Sequence, residues 1–275
     1  MDNRWLRRFT VVVAVCTFLL VVAGSLVTSN DAALSVPDWP LSYGKLIPPL
    51  EGGIRYEFAH RAMALLVAIL TITLAVWMER AERRRWMRLF AWTAVAAVFL
   101  QALLGGAAVR LVTPKTLTTA HACLAQLCFG LVTVLAAGQF LRAPSFLKTG
   151  ETPAPLVAAV ALFGQTILGA MVRYGVTGVA YHIMGAGVAT LLVMWAGLRI
   201  PLTRPALALL SLTFSQVFLG IGSYMARIVN VTTPQPMPLT VWFTAAHVAV
   251  GSLAFGAAIV LTMAPPVAHG GVALA

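Results

Sequence analysis

The chain has 275 residues, of which 60% are hydrophobic and only 10% charged, a balance that excludes an ordinary soluble domain. Its net charge of +11 would suit a nucleic-acid partner, but the charge is not gathered into one stripe. Arg4, Arg7, Arg8, Arg80, Arg83, Arg84, Arg85, Arg88, Arg142, Lys148, Arg199 and Arg204 all lie at the N-terminus or in the even-numbered connections between apolar runs, so nucleic acid is set aside and the positive-inside rule places both termini in the cytoplasm.

A span needs about 20 mostly apolar residues, and eight such runs are present: roughly 9–29, 56–78, 87–109, 117–141, 154–172, 179–199, 205–226 and 240–263. The expected fold class is therefore all-α integral membrane. The first run follows Arg4, Arg7 and Arg8 like a signal peptide, but it exceeds the 7–15 residues of an ordinary h-region, so it reads as an uncleaved helix. The longest external connection comes next, 30–55. Its Pro37-Asp38-Trp39-Pro40 and Pro48-Pro49 forbid a regular helix, and Trp39 and Tyr43 suit an interfacial position. It is expected to cap the outer surface. The second run opens on Tyr56-Glu57-Phe58-Ala59-His60-Arg61. Glu57 stands three residues before His60, on the same helix face. Three readings of this carboxylate stay open: a dipole-favoured first-turn acid, an i,i+4 partner of Arg61, and a functional group beside a ligand. Arg83–Arg85 reads as a topology and anionic-lipid anchor.

The odd-numbered runs share a pattern. Gln101-x-x-Leu104-Gly105, Gln165-x-x-Leu168-Gly169 and Gln216-x-x-Leu219-Gly220 are each followed by an arginine at the outer end, Arg110, Arg173 and Arg227; the first run keeps a remnant in Gly24-x-x-Val27. Even-numbered runs carry His60, His121, His182 and His247 instead, 61, 61 and 65 residues apart. The chain thus reads as two pseudo-symmetric four-helix bundles in parallel orientation, 1–142 and 150–264. The glycines allow close helix approach and would also let a flat macrocycle slide against a backbone.

Ionisable groups within spans are expensive and mark functional sites. Two histidines from facing helices in each half form the kind of site that bundles build. No cysteine or carboxylate set accompanies them to complete a tetrahedral zinc site, and Cys16, Cys123 and Cys128 suggest no disulfide framework. Two axial imidazoles, an apolar slot, glycines for clearance and arginines at the polar rim fit a bis-histidine haem in each half. Arg110, Arg173 and Arg227 are then candidate propionate partners, alongside their plainer role as snorkelling anchors. The halves differ, since Val179 stands where Glu57 stands in the first. That asymmetry suggests one haem that is worked on and one that serves.

Eight spans, the Glu57-Phe58-Ala59-His60-Arg61 run, the four spaced histidines and the Pro37-Asp38-Trp39-Pro40-Leu41 loop resemble the haem A synthase family. The resemblance covers almost the whole chain. It implies oxidation of the C8 methyl of haem O to the formyl group of haem A for haem–copper oxidase biogenesis, in the cell membrane with the active site toward the outer side. It implies that His182 and His247 ligate a haem b cofactor, that His60 and His121 flank the substrate haem iron, and that Glu57 is the catalytic acid group. An anionic carboxylate there would stabilise developing positive charge or accept a proton. The implied partners are haem O, haem O synthase, haem–copper oxidase assembly, membrane lipid and an electron donor such as a quinol; self-association stays open. Many members carry a cysteine pair in the first external loop, and Val36 and Ser42 occupy those positions here, so a loop disulfide is excluded. The competing functional reading is a diheme membrane cytochrome for quinol-linked electron transfer, which needs all four histidines equally but neither Glu57 nor a lid on one half only. A repeat transporter using histidine proton relays is a further alternative.

Overall fold

The computed structural model describes residues 3–140, 153–229 and 236–263. Arg142, Lys148 and the expected boundaries at 141, 142, 150 and 264 lie outside the described residues. Eight helices follow in order: α1 Arg4–Ser29, α2 Ile54–Ala81, α3 Arg85–Arg110, α4 Lys115–Gly138, α5 Ala154–Arg173, α6 Val179–Arg199, α7 Arg204–Val229 and α8 Pro238–Met263. Each contains the expected run, allowing for a few residues at its ends, and each is long and apolar enough to cross a membrane. No strand occurs among the described residues, only an isolated bridge between Ser42 and Lys45.

Local chemistry sets the helix ends. Asn3 caps α1, its Oδ1 accepting from the Leu6 N–H at 3.1 Å, the usual service of an N-cap amide. Pro114 and Pro153 stand immediately before α4 and α5, where a missing N–H costs nothing. Between α2 and α3, the Glu82 carboxylate takes the Arg84 Nε and Nη2 at 3.0 and 2.9 Å. The Arg84 Nη1 donates to the Gly138 carbonyl at 2.7 Å, so one guanidinium joins the α2–α3 turn to the end of α4.

Neighbour relations run in two rings. Helix α1 packs on α2 and α4, and α3 packs on α2 and α4; α5 packs on α6 and α8, and α7 on α6 and α8. The rings meet through α1 and α4 on one side and α5 and α8 on the other. Where α4 meets α8, the contact is reciprocal. A Cβ at Gly130 would stand 3.3 Å from the Phe255 ring, and one at Gly256 would stand 3.3 Å from the Phe129 ring. Gln126 donates to the Ser252 hydroxyl at 2.9 Å between these residues and the histidines. Gly130 and Gly256, Phe129 and Phe255, and Gln126 and Ser252 are each separated by the same interval as His121 and His247. Small residues facing large rings let two membrane helices approach without a solvent-driven core.

The densest packing lies at the basal end, the end that carries Arg4. One core cluster joins Leu6 and Val13 of α1, Leu74 and Met78 of α2, Met87 and Ala91 of α3, and Leu135 of α4. Its counterpart joins Ala158 of α5, Val193 and Ala196 of α6, Leu209 of α7 and Ala258 of α8. All four histidines lie toward the opposite end of the helices.

Candidate functional site

Each histidine sits in the first half of an even-numbered helix: His60 and His121 six residues after the helix start, His182 three and His247 nine. At 1.5 Å per residue these are depths of about 5–14 Å.

The glycines of the odd helices face these rings directly. A Cβ at Gly24 would stand 3.0 Å from Cε1 of His60, at Gly105 3.0 Å from that of His121, at Gly169 3.1 Å from that of His182, and at Gly220 3.1 Å from that of His247. The same edge of the same ring meets a glycine four times. These positions therefore make room for the imidazole first, a role that neither close helix approach nor macrocycle clearance describes. The glutamine one turn earlier holds the other side of the same residue. Gln101 Nε2 donates to the His121 carbonyl at 2.9 Å, and Gln165 Nε2 to the His182 carbonyl at 2.8 Å. Gln165 Nε2 also lies 2.9 Å from His182 Nδ1. In α1 this place is taken by Leu20, so His60 has no such tie. Sequence reading found the Gln-x-x-Leu-Gly pattern but gave its glutamine no task; the spacing of four residues, one helical turn, was the available signal.

The donor set can be compared with the group it would hold. The rings of His182 and His247 are 6.2 Å apart, centre to centre, and nearly perpendicular. Two imidazoles bound to one metal from opposite sides, at metal–nitrogen distances of about 2 Å, put their ring centres about 6 Å apart. His60 and His121 are close enough to interact electrostatically. The Nδ1 atoms of His60, His121 and His247 are buried without a hydrogen bond, although the backbone carbonyls of Leu20, Gln101 and Gln216 stand beside the rings. A slight rotation would close an Nδ1–H···O=C bond and leave Nε2 to bind a metal. Among the described residues no three His, Cys, Asp or Glu gather at one point, so a tetrahedral metal site is not formed. Two facing imidazoles are a donor set that could hold a haem iron.

Glu57 does not stand free. It is 5% exposed, its Oε1 takes Arg61 Nη2 at 2.5 Å, and its Oε2 takes the Val36 N–H at 2.9 Å. The i,i+4 pairing left open above is thus present, with a loop amide added to it. A carboxylate has about four acceptor positions, so capacity remains for a water or a substrate group. The external loop folds back over the helix ends. Trp39, joined to Pro40 by a cis peptide bond, lies against Gly106, where a Cβ would stand 2.7 Å from its indole.

The expected propionate partners have different surroundings. Arg110 donates to the Trp39 carbonyl at 3.2 Å and lies over its ring at 6.0 Å. Arg173 reaches across to the Ser29 hydroxyl of α1 at 3.2 Å and stands within electrostatic reach of Arg227 and Asp31. Arg227 is exposed. Cys16, Cys123 and Cys128 are all free thiols.

Asp38 closes the loop on itself. Its Oδ1 accepts from the Tyr43 N–H at 2.6 Å and its Oδ2 from the Gly44 N–H at 2.8 Å. The Gly44 amide, then the Tyr43 amide, hold this carboxyl below its ordinary value of 3.8. A lowered folded-state pKa means the contribution is complete above 3.8 and lost as pH falls through the lowered value. Protection of the amides of residues 35–44, taken as exchange relative to the intrinsic rate at each pH, is therefore expected to stay constant from neutral pH down to about 5 and to fall only in stronger acid. Asp38→Asn should quicken exchange at every pH and flatten the acid limb.

Eight apolar helices arranged around two facing histidine pairs define a multi-pass membrane protein with its polar chemistry between helices. The model of the COX15-CtaA family, cytochrome oxidase assembly protein, matches residues 7–55 and 51–187, which include Glu57, His60, His121 and His182. A heme A synthase of Symbiobacterium thermophilum is 29% identical over 247 residues, covering 74% of this chain and 80% of that protein. A heme A synthase of Lysinibacillus sphaericus is 34% identical over 110 residues, 39% of this chain and 36% of that protein. One of Shouchella clausii is 30% identical over 138 residues, 48% and 45% of the two chains. The chain spans less than half the length of the last two relatives in these matches. It belongs to the COX15-CtaA family of cytochrome oxidase assembly proteins.

Proposed function

We propose that this chain is a haem A synthase, an oxidoreductase that converts the C8 methyl of haem O to the formyl group of haem A. The observation that carries the reading is the imidazole–glycine register, repeated at His60, His121, His182 and His247 with Cε1 clearances of 3.0–3.1 Å. It supports reading the four as two matched ligand pairs, and among the described residues a buried carboxylate and a folded loop stand beside the first of them. The N-terminal half, 1–142, is the substrate half, with His60 and His121 flanking the haem O iron. In the C-terminal half, 150–264, His182 and His247 would hold haem b. When bound, haem b would supply one-electron chemistry to the oxidation.

Within that scheme each residue has a physical task. Gly24, Gly105, Gly169 and Gly220 leave the imidazoles the room that a side chain there would take. Gln101 and Gln165 fix the histidine backbone. Glu57, fixed by Arg61 and the Val36 N–H, presents its remaining acceptor positions at the substrate half, where they would favour positive charge developing at the methyl under attack. Arg173 and Arg227, at the ends of α5 and α7, suit haem b propionates: two guanidiniums within electrostatic reach of each other favour carboxylate ligands. Arg110 would reach a propionate of the substrate haem while lying on Trp39. The active site then faces the outer side of the cell membrane, and the product passes to haem–copper oxidase assembly.

The test is Glu57→Ala, expressed with a haem O supply and followed by extraction and chromatography of the haem. Haem O conversion is expected to fall about 100-fold or more, the scale of losing a preorganised electrostatic group, with haem b retained in full. Loss of all bound haem would instead make Glu57 a structural residue, and undiminished conversion would remove it from the chemistry.

A further inference from the structure

We propose that Arg61 is the positioning residue of the N-terminal site, locking the external loop and Glu57 into one unit that closes over the His60–His121 pair. The proposal deepens the reading of the N-terminal half as the substrate half. The clasp itself is a matter of geometry and can be tested apart from that reading.

A guanidinium carries five N–H donors in a rigid planar fork, and Arg61 uses this fork on two segments at once. Nη1 donates to the carbonyls of Asp38 at 2.7 Å and Leu41 at 3.0 Å. Nη2 donates to the Val36 carbonyl at 3.0 Å and to Glu57 Oε1 at 2.5 Å. Val36 returns its own N–H to Glu57 Oε2 at 2.9 Å, so Arg61, Glu57 and Val36 close a ring of three hydrogen bonds. Val36 is completely buried. Three of the four acceptors are main-chain carbonyls of one loop, so what Arg61 reads is the folded path of that loop. A lysine has the charge but not the fork, and cannot serve four acceptors.

The position of the clasp gives it a consequence for the site. Arg61 directly follows His60 on α2. The loop it holds carries Trp39 onto Gly106, the residue after the glycine that receives His121. One guanidinium therefore ties together the outer ends of α2 and α3 around the first imidazole pair, with Arg110 fastening the far side through the Trp39 carbonyl. The closure is noncovalent, Val36 and Ser42 being unable to form a disulfide. It is also coupled to the carboxylate: the loop cannot lift at Val36 without releasing Glu57 Oε2, so Glu57 takes its present orientation only when the loop is down.

The experiment uses the detergent-solubilised full-length chain carrying V36C, in the parent and in R61K, R61Q and E57Q backgrounds, with a polar maleimide as probe. Labelling is scored above that of the parent's own Cys16, Cys123 and Cys128. The expected result is a protected thiol in the parent and labelling about tenfold or more faster in R61Q and E57Q, since one charge-assisted bond is worth about that factor, with R61K between them. Hydrogen exchange of residues 35–44 in R61K and E57Q, without the added cysteine, should quicken in parallel and stands in if R61Q does not fold. Equal labelling and equal exchange in all backgrounds would overturn the clasp. The expected labelling pattern in a chain that converts no haem O would uphold the clasp and leave the proposed function to fail by itself.

Discussion

Gly220→Leu is expected to strip haem b from the purified protein, while Gly187→Leu leaves it unchanged. A Cβ at Gly220 would stand 3.1 Å from Cε1 of His247, closer than side-chain carbons ordinarily settle, and a leucine adds three more carbons where the imidazole lies. The ring can only swing away, because the rest of α7 is packed against α8. Overpacking of this kind costs about 1–3 kcal/mol, or about 5- to 150-fold in an equilibrium, and it bears on the ring that the added carbons meet. Gly187 has nothing within 4 Å of its would-be Cβ, so the same change there adds apolar surface and no clash. Gly24→Leu and Gly105→Leu act on the other imidazole pair and should abolish haem O conversion with the haem b spectrum intact. The measurement is the reduced-minus-oxidised haem b absorbance per chain after purification. Full absorbance in Gly220→Leu would mean that His247 is not held against that glycine, and the four-fold register would lose its meaning.

The bilayer made much of this architecture readable before any coordinates. A span must satisfy its backbone internally and present about 20 apolar residues, so eight helices and their order follow from hydropathy alone. The histidines were legible for a related reason: an imidazole in an apolar run stands out, and its return at nearly constant intervals points to a duplicated unit. The residues around them were harder. That Gly24, Gly105, Gly169 and Gly220 clear the imidazole edge is a statement about distance between two helices, which no single helix records. The reciprocal seating of Phe129 on Gly256 and Phe255 on Gly130 becomes a symmetric contact only when α4 and α8 are placed side by side.

Arg61 shows a second limit. It was in plain view within the Glu57–Arg61 run, and its pairing with Glu57 followed from helical spacing. Its other three partners are backbone carbonyls of Val36, Asp38 and Leu41, and a carbonyl has no signature in a sequence because every residue has one. The same holds for Arg110, whose bond to the Trp39 carbonyl and contact with its ring no spacing announces. Side chains that act on other side chains can be proposed from spacing; side chains that read a loop's path cannot, until the loop is seen.

The second large effect concerns the ligands themselves. His247→Ala and His182→Ala are each expected to remove the haem b spectrum, whereas His60→Ala and His121→Ala should retain it at full stoichiometry and lose haem O conversion. The ring centres of His182 and His247 are 6.2 Å apart, so removing one leaves a single imidazole facing a void where the second axial bond would be. Among the described residues no third His, Cys, Asp or Glu joins the pair to take its place. Gln165→Leu provides the graded comparison. It keeps His182 but removes the donor that holds its carbonyl at 2.8 Å, and loss of an outer contact that orients a ligand costs about 10–100-fold in affinity. Haem b occupancy should therefore rank wild type, then Gln165→Leu, then the two alanine variants, read from pyridine haemochrome per chain. Retention of haem b in His182→Ala together with its loss in His60→Ala would exchange the two halves: the carboxylate and the Arg61 clasp would then guard the resident haem, and the oxidation would have to take place in the half that lacks them.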